Sequence, residues 1–219
     1  MPPRPDQFRT VGPRDWTRDI VAIVGTGPSL IGFDFDRLRG IGRVLAVKEA
    51  VFDLPFADAC VSIDAKWFRR RGPALTDVLV PLYQAADEAW MGHVLPNATF
   101  LRYRRGEGLS DDPAELVVHG SSGYSAVNYA YLRGARRVVL LGFDYANRDG
   151  AHHYARYEWH GSANLNTRYL PSWAAGYRSM LPQLARAGVT VINANPDSAM
   201  DAFLRMTLDD ALSVLRRMG

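Results

Sequence analysis

At 219 residues, with 47% hydrophobic and 22% charged side chains, the chain has the makeup of a globular protein and excludes a disordered or fibrous one. That length suits one large domain, able to bury roughly 70% of its unfolded surface without a metal or disulfide. A net charge of +3 is only mildly basic, the single cysteine excludes an internal disulfide, and no apolar run approaches the ~20 residues of a membrane-spanning helix.

The first 18 residues are rich in Pro and Arg, lack the apolar core of a signal peptide and read as a flexible arm ahead of a single domain over 19–219. Val21–Val24 is a strand-length apolar run that ends in GTGPSL, where Gly25 and Gly27 leave room for a ligand to approach the backbone. Free N–H groups in such a turn suit an anion. A short amphipathic helix is predicted in IGFDFDRLRG, ending near Gly40. Strands follow at Arg43–Val47 and Ala57–Ile63, the latter holding Cys60 as a core residue. A helix is expected within Pro73–Trp90 and a strand at Ala98–Tyr103.

GSSGYSAVNYAYLRGARRVVLLGFD is the clearest helix–strand unit. Tyr124, Val127, Tyr131 and Leu132 share helical spacing, Ser121 or Ser122 is a natural cap, and Gly134 is a stop. The continuous apolar run that follows fits a strand buried on both faces of a parallel sheet. Residues 145–171 are polar and aromatic with no period, and are expected to form an inserted lid. A helix (Ser172–Ala187), a strand (Val189–Ile192) and a last helix (Leu208–Met218) complete an alternating pattern. It predicts an α/β fold: a Rossmann-like, mostly parallel sheet with helices on both faces.

Ligands of such sheets bind beyond the carboxyl ends of the strands. The residues delivered there are Gly25, Thr26, Gly27, Pro28 and Ser29, then Lys48, then Asp64. Ser121, Ser122 and Gly123 open a helix, and Asp144, Asn193, Asn195 and Ser198 follow later strands. Glycines, hydroxyls and amides on one edge suit a nucleotide: donors for phosphate, donors and acceptors for ribose and base. Each has a plain alternative: Asp64 as a helix cap, Lys48 as a solvated charge, Asn195-Pro196 as a turn. Neither a Walker loop nor a full dinucleotide fingerprint is present, since Pro28 and Ser29 occupy the turn.

GTGPSL, SSGYSAVNYAYLRGARRVVLLGFDY, HGS at 160–162 and NPDSAM at 195–200 together resemble, in order, two families. These are the bacterial family-42 sialyltransferases and the archaeal 6-hydroxymethylpterin diphosphokinase-like family. The chain also looks like small stand-alone proteins of this group carried by phages and prophages. The resemblance spans roughly residues 20–200. It implies a glycosyltransferase, metal-independent, that moves a sugar from a nucleotide-activated donor to a hydroxyl. Gly25, Gly27 and Ser29 would hold phosphate and ribose, and Ser122 and Gly123 the base or phosphate. His160 would be the general base, with Tyr145 and Tyr154 as donors to the departing phosphate. Lys48 stands where the sialyltransferases carry an asparagine, and the tyrosine spacing after Asp144 differs as well.

No cofactor is then required, the nucleotide-sugar being a co-substrate. The acceptor is a saccharide or, given the arginine clusters at 69–71, 102–105 and 136–137, a hydroxylated base in DNA. His152, His153 and His160 match no metal-ligand spacing, so no metal site is expected. Mg²⁺ enters only under a diphosphokinase-like alternative that uses Asp64 and Asp144. A third reading is a nucleotide- or nucleic-acid-binding module without turnover. A reducing cytoplasm is the expected compartment, and self-association is left open by the sequence.

Overall fold

A computed structural model describes residues 5–86, 95, 97–146 and 164–219. Among them, nine strands form one sheet: β1 (Ile20–Val24), β2 (Gly42–Val47), β3 (Ala59–Ser62), β4 (Leu82–Ala86), β5 (Ala98–Arg105), β6 (Glu115–Val118), β7 (Arg137–Leu141), β8 (Thr190–Asn193) and β9 (Leu204–Arg205). Their spatial order is β6-β5-β4-β3-β2-β1-β7-β8-β9, and every pairing is parallel. The helices are α1 (Ala65–Thr76), α2 (Ser122–Leu132), α3 (Asn164–Gly176), α4 (Leu181–Arg186) and α5 (Leu208–Arg217). The expected α/β Rossmann-like architecture is thus observed. No helix among the described residues is long and apolar enough to cross a membrane.

The two-sided burial follows from the strand sequences. In β1, Ile20, Ala22 and Val24 enter one core layer while Val21 and Ile23 enter the other. Strand alternation sends successive side chains to opposite faces, so an all-apolar strand needs cover on both. One layer is closed by α2, α4 and the N-terminal segment, the other by α1 and α5. Helix α5 has Leu208, Ala211, Leu212 and Leu215 buried at spacings of three and four. Asp209 and Asp210 in its first turn and Arg216 and Arg217 in its last oppose the helix dipole.

Several expected elements differ. The helix placed within Pro73–Trp90 begins earlier, as α1, because Asp64 caps it by accepting the Lys66 and Trp67 N–H groups. Leu82–Ala86, in the second half of that stretch, is strand β4 instead. IGFDFDRLRG forms only a short 3-10 turn over Phe35–Leu38. The helix expected at Ser172–Ala187 is two helices, α3 and α4, joined through a 3-10 turn at Tyr177–Met180.

The segment expected as a flexible arm carries two fully buried side chains, Val11 and Trp16. Arg133, just past α2, fastens it: its guanidinium donates to the Pro13 and Val11 carbonyls and lies 4.6 Å over the Trp16 ring. The Trp16 N–H returns a bond to the Arg133 carbonyl at 3.0 Å.

Winding sets the position of the site. From β1 the chain steps outward through β2 to β6, then returns to the other flank of β1 as β7. The strand order therefore reverses between β1 and β7, which puts the topological switch point at the carboxyl ends of these two strands.

Candidate functional site

The loops leaving β1 and β7 are laced together at this switch point. Gly25 N–H donates to the Leu141 carbonyl at 2.7 Å and Gly27 N–H to the Gly142 carbonyl at 2.9 Å. Ser29 gives Asp144 two bonds, from N–H to Oδ1 at 3.0 Å and from Oγ to Oδ2 at 2.8 Å. A Cβ on Gly25 would stand 2.8 Å from the Gly142 oxygen, and one on Gly27 only 1.9 Å from Asp144 Oδ2. The glycines thus admit the neighbouring loop. This corrects the expectation that their N–H groups are free for an anion, since those of Gly25, Gly27 and Ser29 are committed within the protein. Thr26 is half-buried between the glycines, and Pro28 starts a 3-10 turn over Pro28–Leu30.

The polar residues after β8 brace the same place. Asn193 Nδ2 donates to the Phe143 carbonyl at 3.0 Å, Ser198 Oγ donates to it at 2.6 Å, and Ala199 N–H donates to the Asp144 carbonyl at 2.8 Å. Asn195 accepts the Asp197 N–H at 3.0 Å in its own turn. Asn193 and Ser198 are buried, so they fix the backbone that carries Asp144. The sequence marks these residues as ligand contacts; the contacts observed for them are to the protein's own backbone.

A second group lies beyond β2 and β3. Lys48 adopts a left-handed backbone with φ of 54°, a conformation that costs a residue with a Cβ about 1 kcal/mol or more. Its ammonium meets Asp64 Oδ2 at 2.9 Å. Burial pushes the Asp64 carboxyl up, but the Lys48 charge and hydrogen bond, with the two capped N–H groups, hold it below its ordinary value. Asp64 is thus a helix cap, as its plain reading has it, whereas Lys48 is paired and mostly buried and not a solvated charge.

The start of α2 completes the arrangement. Ser122 Oγ accepts the Ile63 N–H at 3.2 Å, which docks this helix end on the carboxyl end of β3. Ser121 caps the helix by accepting the Tyr124 N–H at 3.2 Å. The Ser122 and Gly123 N–H groups occupy first-turn positions that have no acceptor inside the helix. A Cβ on Gly123 would come within 2.8 Å of the Phe143 ring, so that glycine lets the loop after β7 approach. Ser121 Oγ is 3.0 Å from the Tyr145 hydroxyl, which is 2.8 Å from the Tyr177 hydroxyl. Tyr145 is itself left-handed, with φ of 49°. Burial raises the pKa of Tyr145 and of Tyr177, keeping both phenols protonated at neutral pH.

The structure therefore brings Ser29, Asp144, Ser121, Ser122, Gly123 and Tyr145 around one switch point, with Lys48 and Asp64 on its β2–β3 side. His160, Tyr154, His152 and His153 lie outside the described residues. Among the described residues no group of three or more His, Cys, Asp or Glu is placed to hold a metal ion. Tyr177 was not singled out from the sequence. The signal for it was weak, a tyrosine in an unbroken helical prediction, whereas the chain breaks there into a 3-10 turn that directs it inward.

Comparison with known proteins adds one likeness. No protein-family profile matches the chain, and no curated protein does. A solved structure, the MAf glycosyltransferase from Magnetospirillum magneticum AMB-1, superposes with a TM-score of 0.57 at 14% identity. The match covers 96% of this chain and 38% of the other, so the chain spans well under half of that protein. The chain shares its fold with part of a glycosyltransferase.

Proposed function

We propose that the chain is a glycosyltransferase-like enzyme that moves a sugar from a nucleotide-activated donor to a hydroxyl acceptor. The observation that carries this reading is the reversal of strand order between β1 and β7, with Ser29, Asp144 and the start of α2 converging there. The fold shared with a glycosyltransferase supports it. In this reading the first-turn N–H groups of α2, with Ser121 and Ser122, receive the phosphate, because Gly25, Gly27 and Ser29 in the β1 loop have spent theirs. The ribose and base extend along Ser29, Thr26 and the Lys48–Asp64 pair. His160 serves as general base on the acceptor and Tyr154 as a further donor, both roles resting on the sequence resemblance.

Phosphoryl transfer with Mg²⁺ is the less supported course. Asp64 is already bonded to Lys48 and to a helix end, and Asp144 to Ser29, so the two carboxylates it would use are engaged. Thermal unfolding with nucleoside monophosphates, triphosphates and nucleotide-sugars, each with and without Mg²⁺, tests the choice. A ligand at about 100 times its Kd adds about 2.7 kcal/mol of stability. A monophosphate or nucleotide-sugar is expected to stabilise without metal, and His160→Ala to keep that shift while losing turnover. Stabilisation by a triphosphate only with Mg²⁺ would transfer the assignment to phosphoryl transfer.

A further inference from the structure

We infer that Tyr169 and Trp173 of α3 form a stacking ledge for the sugar ring of the donor, beside the helix end that receives its phosphate. The inference rests on the nucleotide-sugar reading of the preceding section and extends it to the part of the ligand that is transferred.

Two glycines set α3 against the corner where β6 leads into α2. Gly120, with φ of +83°, precedes the Ser121 cap, and a Cβ there would overlap the Trp173 indole. On α3 itself, a Cβ on Gly176 would overlap the His119 imidazole. Any larger residue at either position would push the helix away from this corner. Residues 169, 173 and 176 stand four and three apart and share one stripe of α3. Gly176 meets His119 and Trp173 meets Gly120. Tyr169 lies about 6 Å further along the helix axis and stays 45% exposed. The Tyr169 and Trp173 rings stack with centroids 6.0 Å apart and 17° between their planes. The stripe that packs on the protein at one end therefore continues past it as exposed aromatic surface.

The direction of the ligand selects a sugar for this surface. Ser122 docks the start of α2 on the end of β3 through the Ile63 N–H, and the chain reaches that point from β6. In the sheet, β2 and β1 lie to one side of β3, while β4, β5 and β6 lie to the other. The nucleoside positions of the proposed site, Ser29, Lys48 and Asp64, follow β1, β2 and β3. Phosphate joins nucleoside to sugar in a nucleotide-activated donor, so a phosphate at α2 sends the sugar toward the β6 side. Trp173 and Tyr169 stand there. A sugar ring carries apolar C–H groups on its faces, which pack against the electron-rich face of an aromatic ring, and hydroxyls around its rim. The His119 imidazole and the Trp173 indole N–H make no hydrogen bond among the described residues and are not sealed from water. Both can serve that rim.

Affinities of CMP against CMP-N-acetylneuraminate, UDP against UDP-glucose and UDP-N-acetylglucosamine, and GDP against GDP-mannose measure what the sugar contributes. Tyr169→Ala is expected to weaken the best-bound nucleotide-sugar about three- to tenfold and to leave its parent nucleotide unchanged. Tyr169→Phe keeps the ring and should retain wild-type affinity for both. Trp173→Leu should lose at least as much as Tyr169→Ala, again on the sugar conjugate alone. An unchanged affinity for the conjugate in Tyr169→Ala would overturn the ledge and reduce the pair to a contact that stabilises α3. Equal losses for conjugate and parent would overturn it too, because the rings would then hold the nucleoside. A wild-type protein that binds a nucleotide but no sugar conjugate would remove the sugar subsite and leave the nucleotide site standing. A wild-type protein that binds no member of the panel would overturn both readings. Tyr169 is exposed, so its two variants decide the matter even if Trp173→Leu fails to fold.

Discussion

Gly27→Ala is expected to destabilise the protein by about 3 kcal/mol and, on the proposed function, to abolish nucleotide binding, although the backbone at Gly27, with φ of −71°, suits any residue. The cost is steric. The new methyl would sit 1.9 Å from Asp144 Oδ2 and 2.5 Å from the Gly142 carbonyl oxygen, to which Gly27 also donates at 2.9 Å. Asp144 can turn aside only by giving up both bonds from Ser29. The Gly142 oxygen belongs to backbone and moves only with the end of β7. Gly32→Ala supplies the control: φ is +74° there and nothing lies within 4 Å of the added carbon, so only backbone strain is incurred, about 1 kcal/mol. Chemical denaturation of the two variants separates the causes. Equal losses would mean that the β1 and β7 loops are not locked together as described. Gly27→Ala/Asp144→Gly should recover part of the loss, because the carboxylate clash is removed while the carbonyl clash stays.

Much of this architecture is legible in the sequence. Continuous apolar runs such as VAIV and VVLLG announce strands covered on both faces, and the glycine or serine that follows marks the strand's carboxyl end. The candidate list from these ends falls along one edge because a parallel sheet delivers all such ends there. What stayed hidden has physical reasons. Strand β6 has four residues and β9 two, too short for a period to show. In helix α1 the cations Lys66 and Arg69–Arg71 alternate with the buried Trp67, Phe68, Gly72 and Leu75, which obscures its apolar stripe. Glycines in a turn advertise close approach without saying of what. Gly25 and Gly27 read as room for a phosphate, and the object approaching is the loop after β7. Asn193 and Ser198 read as ligand contacts for the same reason, although their partners are backbone carbonyls distant in sequence.

Lys48→Met is expected to cost about 2–3 kcal/mol at neutral pH and to reverse the sign of the Asp64 contribution to acid stability. Removing one partner of a fully buried ion pair costs roughly 3–5 kcal/mol. Here the side chains keep 15% and 22% exposure, which reduces the figure. In the wild type, burial raises the Asp64 pKa, while the Lys48 charge and hydrogen bond lower it, with the Lys66 and Trp67 N–H groups adding to the lowering. The net effect is a depressed folded-state pKa, so the carboxylate stabilises the fold above its ordinary value near 3.9 and loses that share as pH falls through the lower, folded value. Without Lys48 the two largest lowering causes vanish and burial prevails. The folded pKa then lies above the unfolded one, the charged carboxylate destabilises at neutral pH, and acidification toward the folded pKa relieves it. Denaturation midpoints from pH 7 to pH 4 should therefore converge for the two proteins, the variant recovering as the wild type holds. Lys48→Met/Asp64→Asn should recover most of the loss at pH 7, since asparagine still caps α1 and carries no charge. Lys48→Gly separates the backbone from the pair: at φ of 54° it is expected to be about 1 kcal/mol more stable than Lys48→Met, the strain released when the side chain that pays for it is gone. A parallel pH dependence in Lys48→Met and wild type would mean that Asp64 owes its low pKa to the helix end alone.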